Sequence, residues 1–148
     1  NLIGSKPENV IFTSGATEAD ILAIKGTQHT DVIISSIEHD AVLSAVPEAK
    51  KVPVDENGVI RLEELGKILS KTEQPSLVSI MWANNETGVI QPIQEIINVS
   101  SFYGAIVHAD AVQALGKIPI DFNASGLDMM SISGHKIGGV SGVGALII

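Results

Sequence analysis

The sequence predicts an α/β fold in which a mostly parallel sheet lies between layers of helices. Three observations lead there. Short apolar strands alternate with helical stretches along the chain, which is the order of a parallel sheet with crossover helices. The interior must be built from Val, Ile, Leu and Ala, because 45% of residues are apolar and only 3% aromatic, as strands buried on both faces require. Polar residues gather just after the strand C-termini, and in such sheets the ligand site lies beyond those ends. The polar segments 14–18, 38–40, 84–88, 110–113 and 133–136 are therefore expected to converge.

Val10 to Thr13 reads as a strand, broken by Ser14-Gly15 and followed by a helix from about Thr17 to Lys25 with Ile21, Leu22 and Ile24 on or near one face. Strand, glycine turn and helix in that order aim free backbone N–H groups at an anion. The next strand, 32–36, stops at Glu38-His39-Asp40, and Ala41 to Ala45 starts another helix. Lys51 to Val54 is a short extended piece before the turn Asp55 to Gly58, with Pro53 placing it at a sheet edge. Leu62, Leu65, Ile68 and Leu69 recur at the spacing of an amphipathic helix, which Gly66 weakens by about 1 kcal/mol. Leu77 to Met81 is a strand opening into Trp82 to Gly88, a polar loop too long for a hairpin turn. Ile93, Ile96 and Ile97 mark a helix that ends near Gly104. Ile106 to Asp110 is a strand with an acid at its C-terminal end, and 129–133 and 143–148 complete the set.

With 17 acids against 9 bases the formal charge is −8, opposite in sign to a surface that binds nucleic acid or an anionic membrane. Small molecules and proteins are the expected partners. No apolar run approaches the roughly 18 residues of a membrane span, and a cytoplasmic protein is expected. The absence of cysteine rules out a disulfide, a thiolate metal site and a cysteine nucleophile within these residues. Ile148 ends an apolar run with no turn after it, and a buried strand is an unusual terminus. The chain is expected to be a piece of a longer one.

Several residues can carry chemistry. Ser14 to Thr17 before a helix suit a phosphate, or else form an ordinary N-cap. Histidines stand at 29, 39, 108 and 135, but only His108 and Asp110 lie close, on one face of a strand, and without a third ligand no metal site is predicted. Asp110 must be solvated, paired, engaged by a ligand or used to cap a helix from Ala111, since an unpaired buried carboxylate is costly. Gln113 lies near it in either case. Lys136, after Ser133-Gly134-His135, suits a phosphate, an imine or a solvated surface. The Walker glycine pattern is missing before it, and Gly139-x-x-Gly142-x-Gly144 is not the dinucleotide fingerprint. An anion pocket (Ser14 to Thr17 with Ser133 and His135), a carboxylate for a cationic ring nitrogen (Asp110) and a lysine amine are together what pyridoxal phosphate requires.

Thr13-Ser14-Gly15-Ala16-Thr17-Glu18, Ile37-Glu38-His39, Ala83-Asn84-Asn85-Glu86-Thr87-Gly88, His108-Ala109-Asp110-Ala111-Val112-Gln113 and Ser133-Gly134-His135-Lys136 resemble, in order, the motifs of the class V aminotransferase family of fold type I, most closely the NifS-like cysteine desulfurases. The resemblance implies the three-layer αβα large-domain core of a pyridoxal-phosphate-dependent transferase, with residues 1–148 as part of that domain and the C-terminal small domain absent. It implies that Lys136 forms the imine with pyridoxal 5'-phosphate, that Asp110 pairs with the ring nitrogen and that Gln113 reaches the ring hydroxyl. Ala16, Thr17, Ser133 and His135 would surround the phosphate, and Gly134 would belong to the cofactor-binding set. His39 would stack on the ring and move protons, and Asn85 would lie near the ring hydroxyl and substrate carboxylate.

The implied reaction converts L-cysteine to alanine and leaves a persulfide on a cysteine of the family's later sequence, feeding a sulfur-acceptor or scaffold protein for iron–sulfur cluster assembly or thiolation. A homodimer is implied for the full-length protein. Neighbouring possibilities are selenocysteine lyase, kynureninase or an aminotransferase. A non-catalytic α/β binding domain that has kept the fold is the alternative of a different class.

Overall fold

The central apolar runs become strands buried on both faces, each sending alternate side chains to opposite sides of one sheet, whereas the edge run Val10–Thr13 leaves Ile11 and Phe12 exposed. The computed structural model describes residues 3–28, 31–72 and 75–148; His29 lies outside them. Along the chain run β1 (Val10–Thr13), α1 (Ala16–Gly26), β2 (Asp31–Ser35), α2 (Asp40–Ala45), β3 (Lys50–Val52), α3 (Leu62–Leu69), β4 (Ser76–Met81), α4 (Ile93–Phe102), β5 (Ile106–Asp110), α5 (Phe122–Ser125), β6 (Met129–Ser133) and β7 (Gly144–Ile147). Val32 and Ile34 of β2 and Leu77 of β4 pack with Ala19, Ala23 and Ile24 of α1 and Val42 of α2. Ile33, Val78 and Ile80 face the other way, onto Leu65 and Leu69 of α3 and Ile93, Ile96 and Ile97 of α4. The period-2 alternation of a strand thus produces the expected three layers.

The strand order is β1-β7-β6-β5-β4-β2-β3. The pairings from β3 across to β6 are parallel, whereas β7 runs antiparallel to both β6 and β1. Reversal of β7 brings Thr13, Gly144 and Ser133 level with one another, so the end of β1 lies beside the end of β6. As Pro53 suggests, β3 is an edge strand.

Three local expectations change. The 84–88 segment does fold back on itself: Ala83 bridges Ile90, and the Asn84 N–H donates to the Val89 carbonyl at 2.9 Å. Asn84 makes this possible because its Oδ1 accepts from the Glu86 and Thr87 amides, both at 2.9 Å. No helix follows Asp110; its Oδ1 accepts the Val112 N–H at 2.9 Å and closes a turn. Helix α5 was not foreseen, being too short for periodicity to reveal, and is capped by Asp121, which accepts the Ala124 N–H at 3.0 Å. Among the described residues no helix is long and apolar enough to cross a membrane.

The closest backbone approach lies where β7 begins. A Cβ added at Gly144 would lie 2.5 Å from the Gly15 carbonyl carbon and 2.8 Å from its Cα. Backbone cannot swing aside as a long side chain does. Gly144→Ala should therefore destabilise the fold by roughly 2–3 kcal/mol and displace the β1–α1 turn, measured as a lower urea midpoint. An unchanged midpoint would show that the turn is not held by this contact.

Candidate active site

A cavity of about 400 Å³ opens at the C-terminal ends of the parallel strands. The β1–α1 turn contributes Ser14 to Thr17, the start of α2 contributes His39, and the segments after β4 and β5 contribute Asn85, Asp110 and Gln113. His135 and Lys136 come from a 3-10 turn after β6, and Ser141 and Gly142 from the approach to β7. Of the residues singled out in the sequence, Ala16, Thr17, His39, Asn85, Asp110, Gln113, His135 and Lys136 meet here. Ser133 and Gly134 do not line the cavity. The buried Ser133 hydroxyl lies 2.8 Å from His135 Nδ1, and the Gly134 N–H donates to the Val143 carbonyl at 2.9 Å. They support the turn that carries His135 and Lys136.

The N-terminus of α1 is left open. Gly15 is its N-cap and supplies no side chain, and a Cβ built there would meet nothing within 4 Å. Ser14 does not cap the helix; its N–H and hydroxyl both donate to Glu18 Oε2 at 2.6 Å. Among the described residues no side chain caps the first amides of this 11-residue helix, whose N-terminus has the orientation that binds anions.

His39 is the N-cap of α2, with Nδ1 accepting the Ala41 N–H at 3.1 Å. That bond leaves Nε2 as the ring nitrogen free for a ligand. Asp110 is buried, and burial raises its pKa, opposed by the Val112 N–H and by nearby His39. Among the described residues no lysine or arginine forms an ion pair with it.

Sequence reasoning gave two acids no role of their own. Asp20 sits on the buried face of α1 beside Ala19, Ala23 and Ile24 and lines the cavity. A charged residue in an apolar stripe was the available signal. Glu38 is enclosed after β2, where its Oε1 accepts from Ser35 Oγ and from the Met81 N–H 2.9 Å away, tying the segment before His39 to the end of β4. Burial pushes Glu38 up to about 8, against those hydrogen bonds and with help from Asp110.

The folded state therefore keeps a proton on Glu38 that the unfolded chain has lost at neutral pH. Stability declines as pH rises toward 8, by several kcal/mol across the window. Glu38→Gln should lessen that decline, making the variant the more stable protein at about pH 9 and bringing the two closer at about pH 5. Parallel denaturation profiles would show that Glu38 is ionised.

His108 is not a metal ligand in waiting. It is fully buried, and its Nδ1 and Nε2 each lie 2.8 Å from a hydroxyl, of Ser79 and Ser131 respectively. Burial pushes it down to about 3, so its 3.8 Å approach to Asp20 is not an ion pair. Among the described residues no group of three His, Asp or Glu is arranged to hold a metal.

Pyridoxal phosphate fits what is present. Open helix amides suit its phosphate, Lys136 suits its aldehyde, and the buried Asp110, which lacks a strong cation, suits a protonated ring nitrogen. Fold and site together define an α/β domain whose cavity, at the C-terminal ends of the parallel strands, joins an open helix N-terminus, a buried carboxyl and a lysine. The aminotransferase class-V family matches residues 1–148, and the chain belongs to that family, whose members depend on pyridoxal phosphate.

An IscS-like cysteine desulfurase of Mycobacterium tuberculosis is 40% identical over 99% of this chain and 42% of its own length. Among solved structures, a NifS-like protein from Rickettsia africae superposes with a TM-score of 0.89 at 42% identity, covering 94% of this chain and 40% of that one. SspA in complex with cysteine gives a TM-score of 0.89 at 33% identity, over 99% of this chain and 46% of that one. The chain spans about two fifths of the length of the curated relative.

Proposed function

We propose that this chain is the cofactor-binding part of a pyridoxal-phosphate-dependent cysteine desulfurase. The observation that carries the reading is one cavity joining Lys136, Asp110 and the uncapped N-terminus of α1. Relatives named cysteine desulfurase and a similar structure holding cysteine support the substrate.

The bound cofactor supplies an electron sink for bond breaking next to the amino-bearing carbon. Lys136 Nζ would hold it covalently, and its amine would take or return a proton at the substrate carbon. Asp110 pairs with the ring nitrogen, and Gln113 and Asn85 orient the ring hydroxyl and the substrate carboxylate. Ala16 and Thr17 receive the phosphate through backbone N–H groups. His135 adds a side chain that Ser133 and Gly134 hold in place. His39 covers the ring and moves a proton at Nε2.

In the overall change the Cβ–S bond of L-cysteine breaks, sulfur passes to a thiolate to form a persulfide, and Cβ gains a proton to give alanine. The chain carries no cysteine, so the accepting thiol comes from outside these residues. In the same reading residues 1–148 belong to the large domain of a homodimer that hands sulfur to an acceptor or scaffold protein. The cytoplasm is the assigned compartment, because persulfide chemistry needs reduced thiols.

The test incubates the full-length protein with pyridoxal phosphate and L-cysteine and measures alanine and persulfide. Equal amounts of both support desulfurase activity. Cofactor fixed on Lys136 without alanine would move the assignment to selenocysteine lyase, kynureninase or aminotransferase activity, each assayed with its own substrate. A folded protein that fixes no cofactor would leave a binding domain.

A further inference from the structure

Asp20 is a cavity acid with no role in the reading above. Its side chain is 2% exposed, and its Oδ1 has no hydrogen-bond partner among the described residues. The nearest basic group is His108, whose ring nitrogens are both taken by Ser79 and Ser131 hydroxyls. The charged and titratable groups facing Asp20 are His108 and Asp110 from β5 and Glu38 from the segment after β2, with His39, His135 and Lys136 in the cavity walls. The buried wall thus holds Asp20 and Asp110, while a bound cationic ring offers one positive charge. Two ionised carboxylates in that setting repel each other without enough countercharge.

We propose that Asp20 is a positioning residue held as a neutral carboxylic acid, so that Asp110 is the single carboxylate of this wall and its charge is reserved for the ring nitrogen of pyridoxal phosphate. The inference rests on the proposed function for the identity of the ring, but not for the proton on Asp20. Burial first, then the neighbouring acids Asp110 and Glu38, raise the pKa of Asp20, while the nearby Ser131 hydroxyl opposes them. The buried row Ser79–His108–Ser131 supplies polar neighbours to Asp20 without supplying a cation. An ionised Asp20 would compete with Asp110 for the ring's positive charge.

The experiment is infrared difference spectroscopy on the full-length protein labelled with ¹³C-carboxyl aspartate, with and without pyridoxal phosphate, at neutral pH. A protonated-carboxyl stretch is expected in the cofactor-free protein, lost in Asp20→Asn and kept in Asp110→Asn. In the loaded protein Asp20→Asn should leave the pH titration of the cofactor's absorbance unmoved. A wild-type spectrum without the band, a band that survives in Asp20→Asn, or a titration lowered by more than about one pH unit would each overturn the proposal.

If Asp20→Asn does not fold, Ser131→Ala decides. Loss of the opposing hydroxyl should carry the band to higher pH than in wild type, and an unmoved band would overturn the assignment to Asp20. The band without cofactor fixed on Lys136 counts against the proposed function alone. Cofactor fixed without the band counts against Asp20 alone.

Discussion

Lys136→Ala should yield a folded protein that no longer retains pyridoxal phosphate after borohydride and whose turnover drops by roughly 10⁴-fold. The fold should hardly notice, because Lys136 is exposed on the 3-10 turn Gly134–Ile137 and forms no ion pair among the described residues. Surface changes of this kind usually stay within about 0.5 kcal/mol. The chemistry, by contrast, loses its covalent link and a proton carrier in one step. Lys117 is the informative control: its Nζ is bound to Gln113 Oε1 at the edge of the same cavity, and Lys117→Ala should keep the borohydride label. Peptide mapping settles the site, and a label on Lys117 in the wild-type protein would remove Lys136 from its assigned role.

Asp110→Asn should move stability and function in opposite directions. The amide keeps an oxygen for the Val112 N–H, so the turn after β5 survives. The pKa of Asp110 is raised by burial, so the folded state pays a penalty above the unfolded pKa that grows until the folded pKa is passed. Asparagine removes that penalty. The cofactor-free variant should therefore unfold at higher denaturant than wild type near pH 8, by roughly 1–2 kcal/mol, with a smaller gap near pH 4.

With cofactor the order reverses. Loss of a charge-assisted hydrogen bond to the ring nitrogen costs about 1.5–3 kcal/mol of affinity, and turnover should fall by at least about 100-fold. A variant that loses stability and keeps turnover would show Asp110 to be structural.

The strands were legible because each is a compact apolar run interrupted by polar residues, as at Ile106 to Asp110 and Met129 to Ser133, whose limits match the structure. Helix α3 was legible through its apolar stripe. The cavity residues were legible because residues placed just after parallel strands share one end of a sheet, and Lys136, Asp110 and the Ser14–Thr17 turn each bear a distinct chemical need. Ser133 lies just behind the cavity lining for a local reason: its hydroxyl turns toward His135 Nδ1, and the choice of that neighbour leaves no trace in residue order.

The sequence by itself determined the α/β alternation, the end of the sheet where the polar segments converge, and the lysine, acid and helix-opening turn that meet there, because these follow from periodicity and from what each side chain can do. Only the tertiary structure decided that β7 runs backward between β6 and β1, pressing Gly144 against Gly15. It also decided that Glu38 reaches Met81 and that Asp20 lies beside Asp110 with no cation to pair it. Those facts depend on contacts between residues distant in sequence, where register and burial, not residue type, set which carboxyl keeps its proton.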